Sequence, residues 1–244
     1  MTSNTIHRAA AVLASLALVA TAGCVRVELP EGEYESASEV IESGDATELA
    51  VSMEIAAGKL AVTGGAEGAL DAAFDFSRET WRPDVSYEVT DGTGRLSVRT
   101  PRVPNFTMQG GLRYDWDVAL PSDLPLELAV DMGAGEADLD LRGTQLREIR
   151  VNLGAGDSTI DLSGAWDDDI TGEINAGAGS LTLKVPADVG VRIVGYRDGL
   201  GSYRADGFEQ DGDALVNDAY ETAEVRFDLV LRRGLGDVTI ETIE

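Results

Sequence analysis

From Leu49 to the C-terminus hydrophobic and polar residues alternate, and a small motif, Gly-x-Gly, punctuates the alternation. It stands at Gly92-Thr93-Gly94, Gly133-Ala134-Gly135, Gly154-Ala155-Gly156, Gly177-Ala178-Gly179, Gly199-Leu200-Gly201 and Gly234-Leu235-Gly236, with a degenerate copy at Ala56-Ala57-Gly58. The central four copies are 21, 23 and 22 residues apart, and the outer intervals are 36, 41 and 35. A constant step with occasional inserts is how a solenoid reads in sequence.

The flanks of the motif repeat with it. Immediately after each copy comes a polar residue: Lys59, Arg95, Glu136, Asp157, Ser180, Ser202 or Asp237. The second position holds Leu60, Leu96, Ala137, Ser158, Leu181, Tyr203 or Val238, and the fourth holds Val62, Val98, Leu139, Ile160, Leu183, Ala205 or Ile240. Three residues before each copy stand Met53, Val89, Val130, Val151, Ile174, Tyr196 and Leu231. A period of two on both sides of a glycine pair predicts strand, corner, strand. Stacked copies bury inward columns that no single copy could bury alone. The fold class that follows is all-β: a single β-solenoid, similar to a parallel β-helix, of about seven strand–Gly-x-Gly–strand rungs over residues 48–244. Val130, Val151 and Ile174 should stack on one another, and at least one glycine of most corners should have positive φ. The chain ends on Ile243-Glu244, and a bare terminal strand there would permit edge pairing with another copy.

The segment before Leu49 has a different texture. Residues 1–23 predict an export signal, with Arg8 as its basic start and the apolar run Ala9–Ala20 as its core. That run is short for a membrane span, which needs about 20 apolar residues. It closes on Thr21-Ala22-Gly23-Cys24, small residues before the chain's one cysteine, which resembles the bacterial lipobox. The resemblance implies cleavage before Cys24 and acylation there, so Cys24 is the expected lipid attachment and the membrane an expected partner. Residues 24–47, with Glu28, Glu31, Glu33, Glu35, Glu39, Glu42 and Asp45, predict an acidic tether that extends by charge repulsion. The domain beyond it would be extracytoplasmic, held to the cell membrane, or to the outer membrane where there are two.

The strings Leu124–Gly143, Val151–Gly164 and Val185–Val191, with Met53–Gly65, Trp81–Val89, Gly94–Val98 and Val216–Tyr220, resemble the bacterial toast-rack family. This is a domain of unknown function, similar to the C-terminal domain of LiaF-type envelope-stress proteins. The resemblance runs over residues 47–244 and implies a β-solenoid. It implies no catalytic residues, and the LiaF-type proteins carry membrane spans where this chain has the lipobox.

Charge and composition narrow the function further. Among 244 residues there are 44 Asp+Glu and 19 Lys+Arg, for a formal charge of −25. Such a chain repels phosphate backbones, so nucleic acid is not an expected partner. One histidine (His7) and one cysteine leave zinc sites and histidine-based triads without their groups. Gly-x-Gly leading into strands lacks the strand-to-helix setting of a nucleotide fold. Calcium-binding β-roll repeats have a nine-residue period, unlike this one. No metal, cofactor or catalytic residue is expected, and Asp167-Asp168-Asp169 is read as a solvated turn. Trp81, Trp116 and Trp166 either stack on sugars or pack beneath loops and at the solenoid ends. The leading expectation is a non-enzymatic, lipid-anchored cell-envelope protein that meets a protein partner, an envelope polymer or a second copy of itself. The alternatives are a stress-sensing regulator of a membrane partner, and a polysaccharide-active enzyme using acids at outward strand positions such as Asp138, Asp140 and Asp161.

Overall fold

The structure, a computed structural model, describes residues 34–102, 112–197 and 199–244; the export segment, Cys24 and the start of the expected tether lie outside the described residues. In chain order come β1 (Glu35–Ile41), β2 (Glu48–Ala66) and β3 (Leu70–Phe76), a 3-10 turn at Glu79–Trp81, then β4 (Asp84–Thr90), β5 (Thr93–Arg99) and β6 (Tyr114–Pro121). The middle of the chain forms β7 (Pro125–Asp140), β8 (Gln145–Ala155), β9 (Ser158–Asp161) and β10 (Ile170–Pro186). Four short strands follow, β11 (Gly190–Val194), β12 (Tyr203–Ala205), β13 (Phe208–Asp211) and β14 (Ala214–Asn217), and the long β15 (Arg226–Ile243) ends the chain.

Each rung runs along a first limb, turns at its corner and continues along a second limb. Layers stack in the order β5/β6, β2, β7, β8/β9, β10, β15, β11/β12, all in parallel register. Val98, Met53, Val130, Val151, Ile174 and Leu231 line up strand by strand on the first limb. Val118, Val62, Leu139, Ile160, Leu183 and Ile240 do so on the second. All twelve are buried and belong to one core shared by both limbs. Burying each such side chain contributes about 1.5–3 kcal/mol before entropy, which is why the apolar positions recur at the rung period.

The corners are built on close backbone approach. Outside Gly92-Thr93-Gly94, the second glycine of each motif, or Gly58 in the degenerate copy, has positive φ: Gly58, Gly135, Gly156, Gly179, Gly201 and Gly236 lie between 127° and 155°. A Cβ on Gly156 would collide with the carbonyl oxygen of Gly135, and one on Gly179 with that of Gly156. The glycines therefore do two things at once: they take a backbone conformation that L side chains avoid, and they let layers stack without a side chain between them.

Three expectations are corrected. Gly92-Thr93-Gly94 is no rung corner. Asp91 (φ 53°) and Gly92 (φ 85°) make the tight turn of an antiparallel hairpin, β4–β5. Leu96 and Val98 of β5 consequently pair with Val51 and Met53, on the first limb and not the second. The layer next to β2 is a composite of β5 and β6 without a glycine corner. Among the described residues six of the seven layers carry the Gly-x-Gly or Ala-x-Gly turn, and the β5/β6 composite does not. Second, neither β2 nor β15 ends the stack: β15 lies between β10 and β11, paired on both sides, so the bare terminal strand does not exist. On β11 Ile193 aligns with Leu229, and the chain at Gly195 (φ 79°) shifts the pattern by one residue. Third, Glu35–Ile41, expected within the tether, is β1, antiparallel to β3, with Ala37 and Ile41 packed against the core.

The ends of the stack are closed by added strands. At the β2 end β4 extends the first limb, and β3 and β1 extend the second. At the other end β14 and β13 extend the first limb. Edge-to-face aromatic rings fill the β2 end, with Trp116 5.7 Å from Phe74 and 5.6 Å from Tyr114. Burial pushes the Tyr114 phenol up to about 12. Trp81 and Trp116 are 2% and 1% exposed, so neither can stack on a sugar. Trp166 is half-buried, donates from Nε1 to the Leu162 carbonyl at 2.7 Å and meets Phe227 edge-on. The tryptophans are packing groups.

Candidate functional site

Strand alternation that sends the columns inward sends their neighbours outward as ladders one strand spacing apart, about 4.8 Å. Three shallow clefts lie along these ladders. The first, about 490 Å³, lies on the first limb across β4, β5, β2, β7 and β8. Its floor holds Ser86, Ser97, Ser52 and Ala129, which are direct cross-strand neighbours. Glu88, Arg95, Glu127, Glu148 and Arg150 stand around it, and Arg150 donates to Glu148 at 2.7 Å.

The second cleft, about 580 Å³, follows the first glycine of the corners: Gly133, Gly154, Gly177 and Gly234. A polar ladder borders it. Asn152 Nδ2 donates to Asp131 Oδ1 at 2.6 Å, and Asn175 Nδ2 donates to Asn152 Oδ1 at 2.8 Å. Arg232 pairs with Glu173, whose carboxyl is held below the usual range by the Asn175 amide first and by Arg232 next.

The third cleft, about 450 Å³, lies on the second limb and is acidic, with Asp115, Asp117, Glu136, Asp138 and Asp157 against Lys59. Lys59 reaches Glu136 at 2.6 Å. Among the described residues no group of three or more acids, histidines or cysteines is gathered for a metal ion.

The outward acids singled out from the sequence separate on inspection. Asp138 is exposed. Asp140 is gripped by Arg142, whose Nε and Nη2 donate at 2.8 and 2.6 Å. That grip holds the Asp140 carboxyl below its ordinary value. Asp161, placed outward by alternation, is only 7% exposed, because Ser163, Lys184 and Arg142 surround it at 2.6, 3.6 and 3.8 Å. Asp161 is an ion-paired joint between rungs, whereas Asp140 and Arg142 pair within one. Asp140→Asn should lower stability at neutral pH by roughly 0.5–1 kcal/mol, as for a well-formed exposed pair. A depressed folded-state pKa adds stability above the unfolded value and loses it as pH falls through the folded one. In urea melts the gap between wild type and variant should thus persist from neutral pH into the mildly acidic range and close below it.

Of the acidic run, Asp168 pairs with Arg147 at 3.2 Å, and Asp169 accepts the Arg226 amide at 2.8 Å; all three acids are exposed, as a turn. At the β1 edge the Glu35 carboxyl is held above the usual range by a hydrogen bond to that of Glu79, two acids sharing one site. Neither acid lies in the three clefts. Sequence reasoning missed this pair, since the residues meet only when β1 docks on β3. Cys24 lies outside the described residues. Among those described, no helix is long and apolar enough to cross a membrane.

The family profile described as the N-terminal domain of toast_rack, DUF2154, matches residues 30–184. The chain belongs to the toast-rack family. Among solved structures it is similar to a candidate cell adhesion protein from Clostridium sporogenes, at 25% identity and a TM-score of 0.81, covering 86% of this chain and 100% of that one. A candidate adhesin from Bacteroides fragilis also matches, at 12% identity and a TM-score of 0.33, over 86% of this chain and 98% of that one. No curated protein matches the toast-rack chain described here.

Proposed function

We propose that this toast-rack protein is a non-enzymatic, lipid-anchored protein of the cell envelope. Acylated Cys24 holds a rigid stacked-rung domain outside the membrane, and the domain makes adhesive contact with a protein or an envelope polymer. The observation that carries the reading is the Clostridium sporogenes structure. It shares the fold over its whole length at 25% identity and is described as a candidate cell adhesion protein. The outward ladders support it: stacked parallel rungs give a long platform of regularly spaced side chains, the kind of surface that solenoids use for binding. The apolar run ending at Thr21-Ala22-Gly23-Cys24 supports the anchor.

Two experiments test it. Wild-type cells fed labelled palmitate should incorporate the label into the protein, and the protein should pellet with membranes. Cys24→Ala should abolish the label and move most of the protein out of the membrane fraction. Equal labelling of the variant would refute the anchor. Crosslinking in intact cells should recover a neighbour on the outer side of the membrane; recovering none would refute the contact role.

A further inference from the structure

The first strand of the described domain, β1, is held along one edge only: among the described strands it pairs with β3 and no other. None of its seven residues is buried. A period of two puts Glu35, Ala37, Glu39 and Ile41 on one face, opposite Phe76, Phe74, Ala72 and Leu70 of β3. Ala37 and Ile41 pack against the core from that face. Glu35 and Glu39 share it, so half of the core-side positions of β1 are carboxylates. The four facing residues of β3 are all apolar and buried.

The two carboxylates act in opposite senses. Glu39 reaches Arg82 at 3.0 Å, which holds β1 down. Glu35 meets Glu79, two carboxyls that repel unless a proton lies between them. The other contacts are a hydrogen bond from Ser36 Oγ to Asp75 at 2.7 Å and the Arg113 guanidinium over the Tyr34 ring at 4.5 Å. Polar contacts that stand in water contribute little each. The domain beneath is closed without β1. Along its other edge β3 pairs with β6, where Phe74 lies opposite Trp116 with the rings edge-to-face at 5.7 Å. Just after β1 the chain is fixed again. The Ser43 carbonyl accepts the Tyr87 hydroxyl at 2.7 Å, Ala46 is buried, and the Thr47 amide donates to the Gly92 carbonyl at 2.7 Å.

We propose that β1 is a releasable strap: residues 34–42 leave the stack while β2 to β15 stay folded, and the link between Cys24 and the domain lengthens. What the strap does rests on the anchor reading given above. With β1 docked, nine residues lie between Cys24 and Tyr34; with β1 released, eighteen lie between Cys24 and Ser43. At about 3.3–3.6 Å per extended residue the longest span of the link rises from roughly 30 Å to roughly 60 Å. A pull on the anchor reaches β1 before any other strand of the described domain. A contact made under load therefore lengthens the link first, and the stack that makes the contact keeps its shape. The opening is local, drawn from the least stable part of the fold.

The test is hydrogen exchange of the purified full chain in detergent, read segment by segment. Amides of β1 should exchange about tenfold or more faster than those of β2 and β7. Glu35→Gln removes the carboxylate that faces Glu79 and should slow exchange in β1. Glu39→Gln removes the pair with Arg82 and should speed it. Each shift should be about two- to fivefold, the size of an exposed charge interaction, with the melting temperature unchanged. Ser38→Cys and Ala73→Cys, direct partners across the strand pair, placed together in a Cys24→Ser chain, should form a disulfide that slows β1 to the level of β2, and a reductant should restore the faster exchange. Exchange of β1 in step with β2, both charge variants shifting β1 the same way, or an oxidised staple without effect would each overturn the inference. Exchange does not depend on acylation: a failed palmitate test removes the link's role and leaves the strap, and a failed exchange test leaves the anchor.

Discussion

Gly156→Ala is expected to cost about 4 kcal/mol or more, a large part of the stability of a domain this size. One added methyl does this because two demands meet at the position. The backbone has φ of 132°, a region that L side chains rarely occupy. The Cβ would also enter the carbonyl oxygen of Gly135, which is main chain and cannot rotate away. The layers above and below are in register with their own neighbours, so moving one corner aside disturbs the stack on both sides. Gly143→Ala is the control. Gly143 has positive φ too, 73°, but nothing stands within 4 Å of a Cβ there. Its cost should be that of the left-handed conformation alone, about 1–2 kcal/mol. Urea melts of both variants separate the terms; equal losses would show that close stacking adds nothing to conformation at the corner.

That contrast explains how much of the architecture could be read from the chain. A stacked rung must put the same kind of residue at the same place in every layer, so the near-22-residue step and the inward columns through Val130, Val151 and Ile174 were legible. Positive φ at one glycine of most corners was legible for the same reason. The order of layers was not. Parallel strands with nearly identical patterns can stack in several orders, and the choice lies in long-range packing that leaves no local mark. Gly92-Thr93-Gly94 misled because a hairpin turn and a rung corner both require glycine between alternating strands. In the hairpin Gly92 follows Asp91 at positive φ, and the partner of each strand is the other. Glu35–Ile41 misled because an edge strand with one covered face carries the charges that also mark a tether. Of the surface chemistry, the ladders followed from alternation. The burial of Asp161 and the Glu35–Glu79 pair did not, since both depend on which residues the stacking brings side by side.

Removing residues 226–244 should abolish cooperative folding, the largest effect expected from any change to the described domain. In a solenoid laid down in chain order, the last strand is an outer layer, and its loss uncovers one neighbour. Here β15 is an inner layer. Along the full length of β10, Ile170–Pro186, its residues pair with β15, and on the far side β11 and β12 pair with it in turn. The truncation withdraws Phe227, Leu229, Leu231, Val238 and Ile240 from the core. At about 1.5–3 kcal/mol each they carry roughly 8–15 kcal/mol of burial, as much as the net stability of a typical domain. It also leaves β10 and the β11–β14 segment with open edges facing a gap one strand wide. Circular dichroism during heating should show a broad, non-cooperative loss of β signal in place of a sharp transition. A sharp transition would mean that β11 and β12 can close directly onto β10, as chain order alone would have them do. The native arrangement has a kinetic consequence too: β11 to β14 must wait for the last residues of the chain before their layer has a neighbour, a long-range closure of the kind that slows folding.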